Sequence, residues 1–151
     1  MGFPGETDAE FEETMEVVEQ VRYDSAFTFV FSPRRGTAAA DLDGAIPHPI
    51  KRERMGRLVE AVQRIATERS QRFVGRTMEV LVEGPSRTDP SRLRGRIRHN
   101  KTVNFTGLAQ PGELAEVDIA SATSTTLAGE ERLRVVGAAP PHSVPSPSRA
   151  A

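Results

Sequence analysis

Arg76-Thr77-Met78-Glu79-Val80-Leu81-Val82-Glu83-Gly84 is the stretch where the chain's period changes to two. Met78, Val80 and Val82 alternate with Thr77, Glu79, Leu81 and Glu83, which is the pattern of a strand with one face inward. Gly84 to Ser91 reads as a polar turn. Leu93 to Arg98, Lys101 to Phe105, Ala115 to Ala120 and about Thr123 to Leu127 are further strand candidates, separated by Gly, Pro and Asn. Five short strands in so small a space point to a closed barrel of the OB type. This domain is expected over residues 76–137. The Pro/Ser/Ala-rich stretch 138–151 is expected to be a disordered tail.

Working back from the barrel, Gly75 suits the end of a helix. Met55, Leu58, Val59, Val62, Ile65, Ala66 and Phe73 form one apolar stripe, so the helix should run from Pro49 to about Phe73. Its other face carries Lys51, Arg52, Arg54, Arg57, Arg64, Arg69 and Arg72. Further back, Thr7 and Glu10 have the spacing of a capping box. Phe11, Met15, Val18 and Val21 follow at helical steps, which predicts a helix over Asp8 to Val21 with an acidic wet face. Ala26-Phe27-Thr28-Phe29-Val30-Phe31 is rich in aromatic and branched residues and predicts a strand that stops at Ser32-Pro33. A Gly/Pro turn, a helix and a strand in that order make half of a βαβ unit, whose parallel partner strand would lie before Met1. The chain is therefore expected to be the C-terminal part of something longer. Its class is α/β followed by all-β.

The net charge of −1 conceals an asymmetry. Residues 1–50 carry ten acidic and three basic side chains, and residues 51–101 carry six acidic and fourteen basic ones. A basic block of that size suggests a polyanionic partner. No apolar run approaches the roughly 20 residues that cross a bilayer, and nothing at the start resembles a signal peptide, so a cytoplasmic location is expected. The chain has no cysteine, which excludes disulfides, thiolate metal sites and a Cys nucleophile within it. His48, His99 and His142 form no ligand pair, and no metal site is expected. No residue stands out as a catalytic acid, base or nucleophile.

Two groups of motifs bring a family into view. Gly2-Phe3-Pro4-Gly5-Glu6-Thr7 with Phe11 and Glu12, then Ser25-Ala26-Phe27-Thr28-Phe29, Ser32-Pro33-Arg34 and Gly36-Thr37, resemble the late part of the radical SAM barrel in MiaB-type tRNA methylthiotransferases. Arg54, Leu58, the helix to Gly75, Val80-Leu81-Val82-Glu83-Gly84, Gly95-Arg96-Ile97-Arg98, Asn100-Lys101 and Val103-Asn104-Phe105 resemble the linking helix and closing TRAM domain of the same enzymes. The resemblance covers about residues 2 to 130. It implies a truncated radical SAM (βα) barrel with its linking helix over residues 1–75, followed by a five-stranded TRAM barrel.

The family 2-methylthiolates an isopentenylated adenosine next to the tRNA anticodon, using S-adenosylmethionine and two [4Fe–4S] clusters. The cluster-ligating cysteines are absent here, so this chain alone is expected to be inactive and to contribute tRNA binding. Arg76, Arg87, Arg94, Arg96, Arg98, Asn100 and Lys101 are the candidate RNA-binding residues, with Arg92 and His99 beside them and the basic helix as a second surface. Arg94, Arg96 and Arg98 alternate, so they share one strand face. Glu6 and Arg34 are candidates for touching the cofactor or a ligand. Thr123, Thr125 and Ala128 stand where the family tends to have an aromatic residue, Trp and Arg, which leaves affinity resting on charge. A stand-alone RNA-binding TRAM module and a sister methylthiotransferase acting on a ribosomal protein are the competing readings.

Overall fold

A computed structural model of the chain describes residues 1–132; the expected tail and the end of the expected barrel domain lie outside them. The first element is α1 (Asp8–Val21), started by the predicted capping box. The Thr7 hydroxyl accepts from the Glu10 amide, and the Glu10 carboxylate accepts from the Thr7 amide. Each end thus satisfies an orphan helix donor of the other. After a short 3-10 turn (Ala38–Ala40), α2 runs over His48–Ser70 and tightens into a second 3-10 turn, Gln71–Phe73. Phe11 and Val18 of α1 pack on Leu58, Ala61, Val62 and Ile65 of α2 in a small core of their own.

Five strands follow: β1 (Thr77–Pro85), β2 (Leu93–Ile97), β3 (Thr102–Thr106), β4 (Leu114–Ala122) and β5 (Thr126–Glu131). They close into a barrel in the order β1-β2-β3-β5-β4. The β3–β5 pair is parallel and the other pairs are antiparallel. Closure leaves no open sheet edge. Val80, Val82, Ile97, Val103, Phe105, Val117, Ile119 and Leu127 point inward. Phe73, from the 3-10 turn, joins this core rather than the helical one, so the end of α2 is seated on the barrel. At Gly95, β2 passes so close to β1 that an added Cβ would lie 2.4 Å from the Leu81 carbonyl oxygen. Only glycine allows that approach.

Two strand expectations are corrected. Residues 26–31 form no strand. A strand needs a ladder, and here only Met1 supplies one: its amino group donates to the Phe29 carbonyl at 3.0 Å and its carbonyl accepts from the Phe31 amide at 2.8 Å. Phe27 and Phe29 are left 94% and 74% exposed. The last strand begins at Thr126 rather than Thr123. The Thr123 hydroxyl accepts from the Thr125 and Thr126 amides, which turns the chain before it can extend.

Gly95→Ala is expected to destabilise the barrel by about 2 kcal/mol or more through overpacking. Gly56→Ala, inside α2 with open space around it, is expected to stabilise by up to about 1 kcal/mol. Urea unfolding midpoints check both signs.

Candidate nucleic-acid interface

The basic block divides into two parts with different fates. On α2 most of it faces the acidic residues of the segment before it. Arg54 is buried, 4% exposed, and reaches Glu6 at 2.7 Å and also Asp8. Arg57 pairs with Glu12, Arg64 with Glu19, and Glu68 with Arg22. Arg69 and Arg72 both hold Asp24. The expectation that the basic helix offers a polyanion surface is therefore corrected: Arg54, Arg57, Arg64, Arg69 and Arg72 bind acidic partners on α1 and the segments around it. Glu6 is corrected for the same reason. One of its oxygens accepts from the Gly2 amide at 2.8 Å and the other from Arg54, so both hold the N-terminal turn in shape.

Lys101 is corrected as an RNA contact. It is 6% exposed. Its ammonium donates to the Asp24 carbonyl at 3.1 Å, the Ser70 hydroxyl at 2.9 Å and the Ser124 carbonyl at 3.0 Å. Burial pushes its pKa below the usual lysine value. These bonds tie the β2–β3 turn to the end of α2, to the segment that follows α1 and to the β4–β5 turn. Beside it, the hydrogen bond from Arg69, supported by Arg72, holds the Asp24 carboxyl below the ordinary aspartate range.

The second part of the basic block lies on the barrel. Arg94, Arg96 and Arg98 project outward along β2 and just past it, as the alternation required. They are not bare. Arg94 reaches Glu83 at 2.8 Å, Arg96 reaches Glu83 at 3.1 Å, and Arg98 reaches Glu79 at 3.5 Å. Two β1 carboxylates thus relieve the repulsion expected among three like charges. The Asn100 side chain accepts from Arg96 at 2.9 Å, with its backbone in the left-handed region that Asn tolerates in a turn. His99 packs edge-on against Phe73. Asn104 and Thr102 stand opposite Arg94 and Arg96 on β3. Arg92 donates to the Asn104 carbonyl.

Arg87, in the β1–β2 loop, and Arg76, just before β1, are exposed, and their side chains form no ion pair with the described residues. They bracket the β2 face from opposite ends of the barrel. Arg34 is likewise exposed without a side-chain partner among the described residues, while its carbonyl accepts from Thr37. Sequence reasoning missed Glu79 and Glu83. Their position on the same alternating face as the arginines was the available signal.

A cleft of about 290 Å³ lies between residues 25–28, α2 and the β4–β5 turn. Its walls include Phe27, Val59, Val62, Ala66 and Thr125, with no ionisable side chain. Among the described residues no group of His, Asp or Glu could hold a metal ion, and no helix is long and apolar enough to cross a membrane.

Residues 71–130 match the family model of the TRAM domain. Over 131 residues the chain is 47% identical to the tRNA-2-methylthio-N(6)-dimethylallyladenosine synthase of Clostridium novyi (strain NT), which covers 86% of this chain and 29% of that protein. It is 48% identical over 131 residues to the synthase of the same name from Moorella thermoacetica, with 86% and 30% covered. The resemblance to MiaB-type methylthiotransferases drawn from the motifs is thus shown. The chain spans about three-tenths of the length of these curated relatives.

Lys101→Met should leave three acceptors without their donor and cost about 1–3 kcal/mol, read as a lower thermal midpoint. Asp24 gives a pH test. Its folded pKa is depressed, so its contribution is complete above the ordinary value near 3.8 and is lost as pH falls through the lower folded value. From about pH 6 down to about pH 2 the wild-type chain should lose more stability than Asp24→Asn.

Proposed function

We propose that this chain, which carries a TRAM domain and is similar over most of its length to tRNA-2-methylthio-N(6)-dimethylallyladenosine synthases, is the tRNA-gripping C-terminal part of a tRNA methylthiotransferase. The observation that carries the reading is the outward arginine row of β2 on a closed OB-type barrel. Strands 2 and 3 and the loop between strands 1 and 2 are where such barrels take oligonucleotides. Arg94, Arg96 and Arg98 alternate over about 13 Å of strand, with Asn100 at one end and Arg87 and Arg76 flanking them. Guanidinium groups suit phosphate oxygens bidentately. Asn104 and Thr102 add polar groups alongside. No aromatic residue faces outward from β5, so the grip is electrostatic.

Residues 1–75 are proposed to be the last portion of a parallel (βα) barrel of the radical SAM type, with its linking helix. The Met1 bonds to Phe29 and Phe31 follow the pattern of a parallel bridge centred on Val30. Exposed Phe27 and Phe29 suit a strand that is covered once its neighbours are present. Arg34 follows this segment, where α/β folds place ligand groups, and would take a phosphate or carboxylate there. Iron–sulfur clusters need thiolates, and this chain has no cysteine. The residues present therefore do not fit the clusters. By itself the chain is expected to bind tRNA without methylthiolating it.

Arg96→Glu with Arg98→Glu is expected to weaken tRNA binding roughly tenfold or more at low salt. It should also flatten the dependence of log affinity on log salt by about one to two. Binding by the double variant equal to that of the wild type would remove β2 from the interface.

A further inference from the structure

Glu83 has a place in the barrel that its strand pattern alone does not explain. Gly84 pairs with Arg94 and Val82 with Gly95, so the register skips Glu83, which is the extra residue of a β-bulge. Bulges re-aim a side chain. Here the side chain enters the gap between two outward arginines, giving one oxygen to Arg94 Nη2 at 2.8 Å and the other to Arg96 Nε at 3.1 Å. The hydrogen bond from Arg96, with the charge of Arg94, holds the carboxyl below its usual range. Arg94 Nε is buried without an acceptor, so the outer nitrogens are the part of Arg94 that meets a partner. A phosphate offers two oxygens to guanidinium nitrogens in a comparable fork.

We propose that Glu83 is a resident competitor for phosphate at the Arg94–Arg96 fork, so that tRNA binds there by displacing it. This rests on the reading of the β2 face as the tRNA-binding surface. Exposed ion pairs are weak, so the carboxylate yields to a polyanion but not to scattered small anions. It holds both arginines in an extended pose before the nucleic acid arrives. It also keeps the fork closer to neutral, which lowers the effective number of phosphates neutralised and makes binding less salt-sensitive than a count of arginines implies. Glu79 does less of this, because Arg98 reaches it only at 3.5 Å.

The test uses the whole 151-residue chain and an in-vitro transcribed tRNA, with affinity measured by fluorescence anisotropy over a series of KCl concentrations. Glu83→Gln is expected to bind roughly fivefold tighter at low salt, with a salt slope steeper by nearly one. Glu79→Gln should change less. Glu83→Thr, a residue suited to a strand, should repeat the gain if the Gln variant folds poorly. A wild type that binds as tightly as both Glu83 variants, or more tightly, overturns the competitor role and leaves the tRNA-binding reading standing. Absence of tRNA binding in the wild type and all variants overturns both. Binding seen only once Glu83 is neutralised supports the competitor role in its strongest form.

Discussion

The ammonium of Lys101 is the point on which the arrangement depends. A buried cation is tolerated only when acceptors replace its water. Here they come from three separate places: Asp24 beyond α1, Ser70 at the end of α2, and Ser124 in the β4–β5 turn. Satisfying one charge therefore fixes the helical layer, the β2–β3 turn and the β4–β5 turn relative to one another. Phe73 enters the barrel core at the same junction. The β2 face begins one turn away, so its orientation relative to the helices follows from this contact.

Charge organises the rest in two ways. Between α1 and α2 it is complementary and internal, through Arg54, Arg57, Arg64 and the acidic partners that face them. On β2 it is only partly neutralised, because three arginines share Glu79 and Glu83. The same residue type is thus a structural joint in one half and an outward-facing charge in the other. Thr123, Thr125 and Ala128 offer no ring for a base to stack on, so salt dependence is the expected signature of binding.

What the sequence made legible were features with a local cause. The Thr7–Glu10 capping box, the apolar stripe of α2 and the period of two from Thr77 depend on neighbours a few residues away. Non-local causes were harder to see. The acidic first third and the basic middle were visible as blocks, but a charge block does not state whether its partner is RNA or its own chain. Lys101 looked like Arg98 because both are cations beside a turn; only the convergence of three distant acceptors separates them. The strand expected at residues 26–31 has strand chemistry but lacks a ladder. Glu83 alternates correctly with its neighbours, and the bulge that aims it between Arg94 and Arg96 is a property of the pairing with β2.

The most direct test of the central claim is backbone amide chemical-shift mapping of the chain during titration with an in-vitro transcribed tRNA anticodon stem-loop. Shifts are expected to concentrate at Arg87, Arg94, Arg96, Arg98, Asn100 and Arg76, with little change along the outer face of β4 or on α2. Shifts concentrated on α2 and absent from β2 would contradict it.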